Sequence, residues 1–189
     1  MITDTLFNRI FADPGNTEML ADFLDSILDI PKQEYKEIAS ATLEPFRWYG
    51  ANPLGILYVS ITTPIGCSID VEITLKSFPG KELGAVIIIT DDLISPEYDG
   101  YHSVYCFMNT VTKELLSDAV RTHMLELVKV SSEQDLPGDL REDKLKRWLL
   151  FLKAETREEL ETLSKRIAHL DEPMLKKAIG IAMGEFTKE

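Results

Sequence analysis

Cysteine is nearly absent from this chain of 189 residues, with only Cys67 and Cys106. Two cysteines at that spacing exclude a disulfide framework and a thiolate metal cage. Both fall in stretches that alternate like strands, so both are expected to be small buried core residues. Histidine is as scarce. His102, His123 and His169 are scattered, none has a neighbour at metal-ligand spacing, and no zinc site is assigned. Long apolar runs are missing too. The longest, Leu83 to Ile89, contains Gly84 and stops at Thr90-Asp91-Asp92, well short of the ~18 residues of a bilayer span. The first residues include Asp4 and hold no basic or signal-like apolar stretch, which favours the cytoplasm. Positive charge is the last deficit. Twenty Lys and Arg face 32 Asp and Glu, for a net charge of −12. Nucleic-acid binders draw most of their affinity from neutralising phosphates. DNA is therefore disfavoured as a partner, unless a local basic groove or a bound cation supplies the charge. A protein partner or self-association fits the balance better, and no membrane partner is expected.

What is present reads as mixed α and β structure. Asp13-Pro14-Gly15-Asn16 forms a turn, with Asn16 as the expected N-cap of a helix. Leu20, Phe23, Leu24, Ile27 and Leu28 recur at helical spacing, and Pro31 closes the segment. Residues 35–40 read as a further helical turn. Thr42 to Tyr49 reads as a strand whose Pro45 calls for an edge or a bulge. A hairpin follows: Ile56 to Thr63, a turn at Pro64-Ile65-Gly66, then Cys67 to Leu75. In its second strand Ile69, Val71, Ile73 and Leu75 alternate with Asp70, Glu72, Thr74 and Lys76.

Segment 81–94 carries strand propensity but is also long enough for a buried helix, and periodicity does not arbitrate. His102 to Met108 reads as strand, 111–120 as a short helix or irregular connection, and Thr122 to Val130 as strand. The rest is helical. Leu145, Trp148, Leu149 and Leu152 form one stripe. Thr156 and Glu159 form a capping box before Leu160, Leu163, Ile167 and Leu170. Asp171 is the expected cap of a last helix striped by Leu175, Ala178, Ile179, Ala182 and Phe186. Gly180 and Gly184 on that helix offer close packing rather than a functional motif.

The order of these signals resembles the PD-(D/E)XK nuclease-family transposases, also described as recombination-promoting nucleases. Leu6-Phe7-Asn8-Arg9-Ile10-Phe11 and Phe23-Leu24-Asp25-Ser26-Ile27-Leu28 are similar to the family's opening. Ile56-Leu57-Tyr58-Val59 resembles its "ILDV", and Gly66 with Ile69 to Thr74 its "IEMQ" strand. Asp99-Gly100-Tyr101 resembles its "G-x-x-Y". Leu125-Glu126-Leu127-Val128-Lys129 resembles its "ELpK". Trp148 to Leu152 and Glu172-Pro173 to Ala178 complete the likeness. The resemblance implies a restriction-endonuclease-like α/β fold: a central mixed sheet flanked by helices, with an αβββαβ core and C-terminal helices. It assigns residues 1–154 to the nuclease-like domain and 155–189 to a helical extension packed on it. It also turns segment 81–94 into a helix crossing between strands.

The implied chemistry is phosphodiester hydrolysis with Mg²⁺. The ion activates a water and neutralises the phosphate, and it needs well-placed carboxylates. In the family an Asp on one strand and a Glu on the next converge on the ion, and a Lys or Gln two residues past the Glu positions water or phosphate. Here the Asp position is Tyr58, whose phenol titrates near 10 and is a poor Mg²⁺ ligand. The Glu is Glu72. The Lys/Gln position is Thr74. The departure makes an absent cofactor and a catalytically degenerate binding or assembly module the leading expectation. The alternative is an active endonuclease with a migrated site, in which Asp70 joins Glu72 at the metal and Lys76 supplies the cation. A third reading is an unrelated α+β interaction domain. Glu18 is a candidate extra acid, although an acid in a first helical turn also suits the helix dipole. Glu126 and Lys129 read as surface polar groups at a strand end. Lys144, Lys146, Arg147, Lys165, Arg166, Lys176 and Lys177 read as solvated helix faces.

Overall fold

The computed structural model describes residues 4–28, 37–46, 54–62, 68–75, 85–130 and 143–186; along the first three strands it is the backbone pairing that is described. The chain falls into two compact units. One joins residues 1–32 to 130–189, and the other is the continuous stretch 33–129.

The first unit is helical. It contains α1 (Asp4–Phe11), a 3-10 turn (Pro14–Asn16), α2 (Thr17–Leu28), α3 (Lys144–Lys153), α4 (Arg157–Ile167) and α5 (Pro173–Glu185). The stripes legible in the sequence are its core: Leu20, Phe23, Leu24, Leu145, Trp148, Leu149, Leu152, Leu160, Leu163, Ile167, Leu175, Ala178, Ile179 and Ala182 are buried. Phe11, Phe23 and Trp148 meet with ring centroids 5.1–5.7 Å apart, and Phe151 packs edge-on against Trp148. Such tilted and edge contacts suit the aromatic quadrupole. Polar links join the α2 and α3 segments within this core. Trp148 Nε1 donates to Asp22 Oδ2 at 3.1 Å, and Lys144 Nζ bridges Asp22 and Asp25 at 3.0 and 3.1 Å. Arg147, buried, pairs with Glu172.

The caps differ in part from expectation. The Thr156–Glu159 capping box is present on α4. The turn that precedes α2 has a cap of its own, and at the last helix a neighbouring residue holds the N-cap position. Asp13, not Asn16, caps the Pro14 turn by accepting from Gly15 N, and Asn16 is buried with its amide donating to Arg9 O. Asp171 does not cap α5; Glu172 holds the N-cap position without a side-chain bond, and Pro173 opens the helix. Gly180 and Gly184 face open space, so they provide no close packing. Three of the basic residues expected on solvated faces turn inward: Lys144, Arg147, and Lys176, which donates to Ala168 O and Leu170 O at the end of α4.

The second unit is one six-stranded mixed sheet in the order β1-β2-β3-β4-β6-β5. Its strands are β1 (Glu37–Phe46), β2 (Leu54–Thr62), β3 (Ser68–Leu75), β4 (Ala85–Thr90), β5 (His102–Met108) and β6 (Leu115–Glu126). β1, β2 and β3 run antiparallel, β3, β4 and β6 run parallel, and β5 returns antiparallel to β6. Pro45 lies on the edge strand β1, as its missing N–H requires. Residues 37–40 belong to β1 and not to a helical turn.

The expected crossing helix at 81–94 is replaced by strand β4. Ile87, Ile88 and Ile89 are all buried, the continuous apolar pattern of a central parallel strand. The consecutive β-branched residues Val86 to Thr90 favour the same outcome. Segment 111–120 also differs. Asn109 Oδ1 accepts from Val111 N and Thr112 N, Lys113 takes a left-handed φ of 61°, and β6 begins at Leu115. Cys106, expected in the core, is exposed on β5; Cys67, Pro31 and the Pro64–Gly66 turn lie outside the described residues.

Candidate nuclease-type site and the β6 clamp

The β2–β3 register brings the motif positions together. Tyr58 is the Cα partner of Glu72, Ser60 of Asp70, and Ile56 of Thr74. Direct partners in an antiparallel pair lie about 4.5–5.5 Å apart and belong to the same sheet face. Tyr58 and Glu72 are thus opposite each other in the backbone pairing. Lys76 lies outside the described residues. Glu18 is exposed in the first turn of α2. Among the described residues, no group of three or more His, Cys, Asp or Glu is gathered so as to hold a metal. Tyr58 and Glu72 supply one carboxylate between them, whereas Mg²⁺ is bound through one or two carboxylates together with waters. No catalytic step is derived through the ion.

A second polar centre sits at the end of β6. Glu126 is fully buried. Its Oε1 accepts from Ile94 N at 2.7 Å and Ser95 N at 3.1 Å, and its Oε2 accepts from Lys129 Nζ at 2.8 Å. Lys129 Nζ also donates to Ser95 O at 2.7 Å and Tyr98 O at 2.6 Å, with Gly100 O at 3.4 Å. Lys129 reaches this position because β6 passes into a 3-10 turn, Leu127–Lys129. Burial pushes the Glu126 carboxyl up, but the Lys129 bond and the two backbone donors outweigh it and hold the group below its usual range. Tyr98 folds back over Gly100, where any Cβ would overlap its ring. The pair read as surface groups is therefore an internal clamp that fixes the loop 91–101. Its bonding capacity is spent on backbone, which leaves little for a ligand.

A third arrangement escaped the sequence. His102 Nε2 and His123 Nδ1 lie 2.9 Å apart, with stacked rings. The two are 21 positions apart, and only the β5–β6 register, which pairs Val104 with His123, makes them neighbours. Burial, then His102 and Arg121, lowers His123 from 6.5 to about 4.

Among the described residues, five helices and a six-stranded mixed sheet make a mixed α/β protein of the kind nuclease folds use. A family profile described as PD-(D/E)XK nuclease family transposase matches residues 80–189. The chain belongs to that family, and the reading as an unrelated interaction domain falls. The matched stretch contains Glu126 and Lys129; the hairpin lies upstream of it. No curated protein and no solved structure matches the chain.

Proposed function

We propose that this chain is a nuclease-family transposase-like protein that has lost phosphodiester hydrolysis and acts as a binding or assembly module. The observation that carries the reading is the Tyr58–Glu72 pairing. It puts a phenol where the second metal-binding acid belongs, and Thr74 supplies no cation two residues past Glu72. The net charge of −12 and the inward use of Lys144, Arg147 and Lys176 support a partner other than the DNA backbone. No helix among the described residues is long and apolar enough to cross a membrane.

The test is nicking of supercoiled plasmid in Mg²⁺ or Mn²⁺. The expected result is no cleavage above buffer. A metal-dependent nick that Glu72→Ala abolishes would overturn the proposal. The second reading, a migrated site, has one specific support: Asp70 and Glu72 are two apart on β3. That spacing separates their backbones by about 6–7 Å, less favourable than two acids on neighbouring strands. Calorimetric heat of Mg²⁺ binding that disappears in the Asp70→Ala/Glu72→Ala variant would favour it.

A further inference from the structure

Strand β5 ends the described sheet, with β6 as its neighbour there. Its first residue is His102, directly after the loop 91–101 that the Glu126–Lys129 clamp holds. The register sets Val104 opposite His123. His102, two residues earlier, reaches His123 along the diagonal, a distance that long side chains span. His102 Nε2 and His123 Nδ1 are 2.9 Å apart. The rings are within 26° of parallel, and their centroids are 5.2 Å apart. That separation equals the nitrogen–nitrogen distance plus one ring radius at each end. The two nitrogens therefore point head-on at each other. A metal ion on that line would sit at half of 2.9 Å from each nitrogen, short of the roughly 2.0–2.1 Å of a zinc–imidazole bond. The gap fits a proton.

A proton held between two ring nitrogens needs one N–H and one lone pair. Burial decides which ring supplies which. His123 is 5% exposed and His102 is only half-buried, and an added charge belongs on the ring nearer water. His102 is thus the donor. His123 is the acceptor, with its own proton on Nε2. That arrangement survives when the pair is neutral and when it carries one positive charge. A second charge has to enter at His123 Nδ1, which turns the acceptor into a donor and breaks the bond. The surroundings oppose it. The charges that act on His123 are those of His102 and Arg121, both unfavourable to a further proton. Ile87 of β4, Val104 of β5 and Leu125 of β6, beside it on that sheet face, are apolar. Cys106, paired with Arg121, is the next titratable group on that face. Glu126 alternates to the other face and is spent on Lys129 and the loop.

We propose that the His102–His123 bond is a proton-operated latch that fastens the start of β5 to β6. The neutral or singly charged pair holds the strand. The doubly charged pair repels, and the stretch from His102 to Cys106 detaches while β3, β4 and β6 stay paired. The direction of the pH response follows from the two states of His123. In the closed strand it takes a proton at about 4, against 6.5 for a solvated ring. Between those values the open form binds the extra proton, so falling pH favours opening. The latch stands whether or not hydrolysis is lost.

The test is amide hydrogen exchange of the full-length chain at pH 7, 6 and 5, corrected for intrinsic rates. Glu126 N donates to Tyr101 O, so by alternation the amides of Ser103 and Tyr105 point at β6. Those two are expected to lose about tenfold in protection from pH 7 to pH 5, while Ile87, Ile88 and Ile89 of β4 keep theirs. His123→Phe is expected to abolish the pH response at Ser103 and Tyr105. His102→Gln keeps an N–H donor without the charge and is expected to shrink the response, and it serves if His123→Phe fails to fold. Nitrogen NMR at pH 6 is expected to show His123 neutral, with its proton on Nε2. Protection that falls equally in β4 and β5 overturns the proposal, because the proton then acts on the whole sheet. So does a wild-type response that is flat, a response that either variant leaves at full size, or a neutral His123 with its proton on Nδ1.

Discussion

Aromatic residues meet opposite fates in the two units. In the helical unit Phe11, Phe23, Trp148 and Phe151 are fully buried against one another. In the sheet unit Tyr105 and Phe107 keep 45% and 56% of their surface exposed. Polar groups invert the pattern. Asp22 and Lys144 bring charge to the rim of the helical core, whereas Glu126, the most buried acid among the described residues, sits in the sheet unit. The helical unit is thus held mainly by apolar packing. Among the described residues of the sheet unit, strand pairing is joined by the Glu126–Lys129 clamp, and apolar side chains of β5 stay exposed.

Four measurements sharpen or break that contrast. Trp148→Ala removes the centre of the aromatic cluster and is expected to cost about 4 kcal/mol in denaturant unfolding, the range for emptying a core aromatic site. A cost near that of a surface change would show that apolar packing does not dominate the helical unit. Lys129→Met leaves the buried Glu126 carboxylate without its cation. Breaking one side of a buried pair is expected to cost about 3 kcal/mol, with faster amide exchange in residues 91–101. Unchanged exchange there would remove the clamp from the account.

The third measurement is pH. His123 has a folded value of about 4 against 6.5 unfolded, so between those values the unfolded chain binds the extra proton. Stability is complete above 6.5 and falls as pH drops. From pH 7 to 5 the expected loss is about 1–2 kcal/mol, allowing for solvent screening at the ring. Glu126 does not contribute in this window, because its depressed value costs stability only below the ordinary carboxylate range. His123→Phe is expected to flatten the slope. The smallest effect belongs to the helical unit: Thr156→Ala removes the N-cap acceptor of α4 and is expected to cost about 1 kcal/mol.

The helical stripes were legible because burial repeats every three or four residues and the facing helices are interchangeable in kind. The hairpin was legible because Ile69 to Leu75 alternates without a break. β4 was not, because a run such as Val86 to Thr90 buried on both faces has no period. Its identity follows from neighbours on either side, β3 and β6, that are distant in sequence. Cys106 and the histidine pair were missed for a related reason. Position in the strand order decides which strand is an edge and which residues lie opposite, and no local pattern carries that order. For the candidate site, residue types at Tyr58, Glu72 and Thr74 could be read directly. The burial of Glu126 could not, since its backbone donors at Ile94 and Ser95 become neighbours only when the loop folds back.

The bridge from Lys144 and Trp148 to Asp22 has a consequence for synthesis. More than a hundred residues separate its two ends. At the pace of translation, roughly 5–20 residues per second, α1 and α2 emerge about 6–20 s before α3. The whole of 33–129, a continuous stretch, leaves the ribosome in between. The sheet is able to form while Phe11 and Phe23 still lack Trp148. A stalled or shortened chain would therefore present a finished sheet and an exposed aromatic pair, a form that chaperones and proteases are suited to detect.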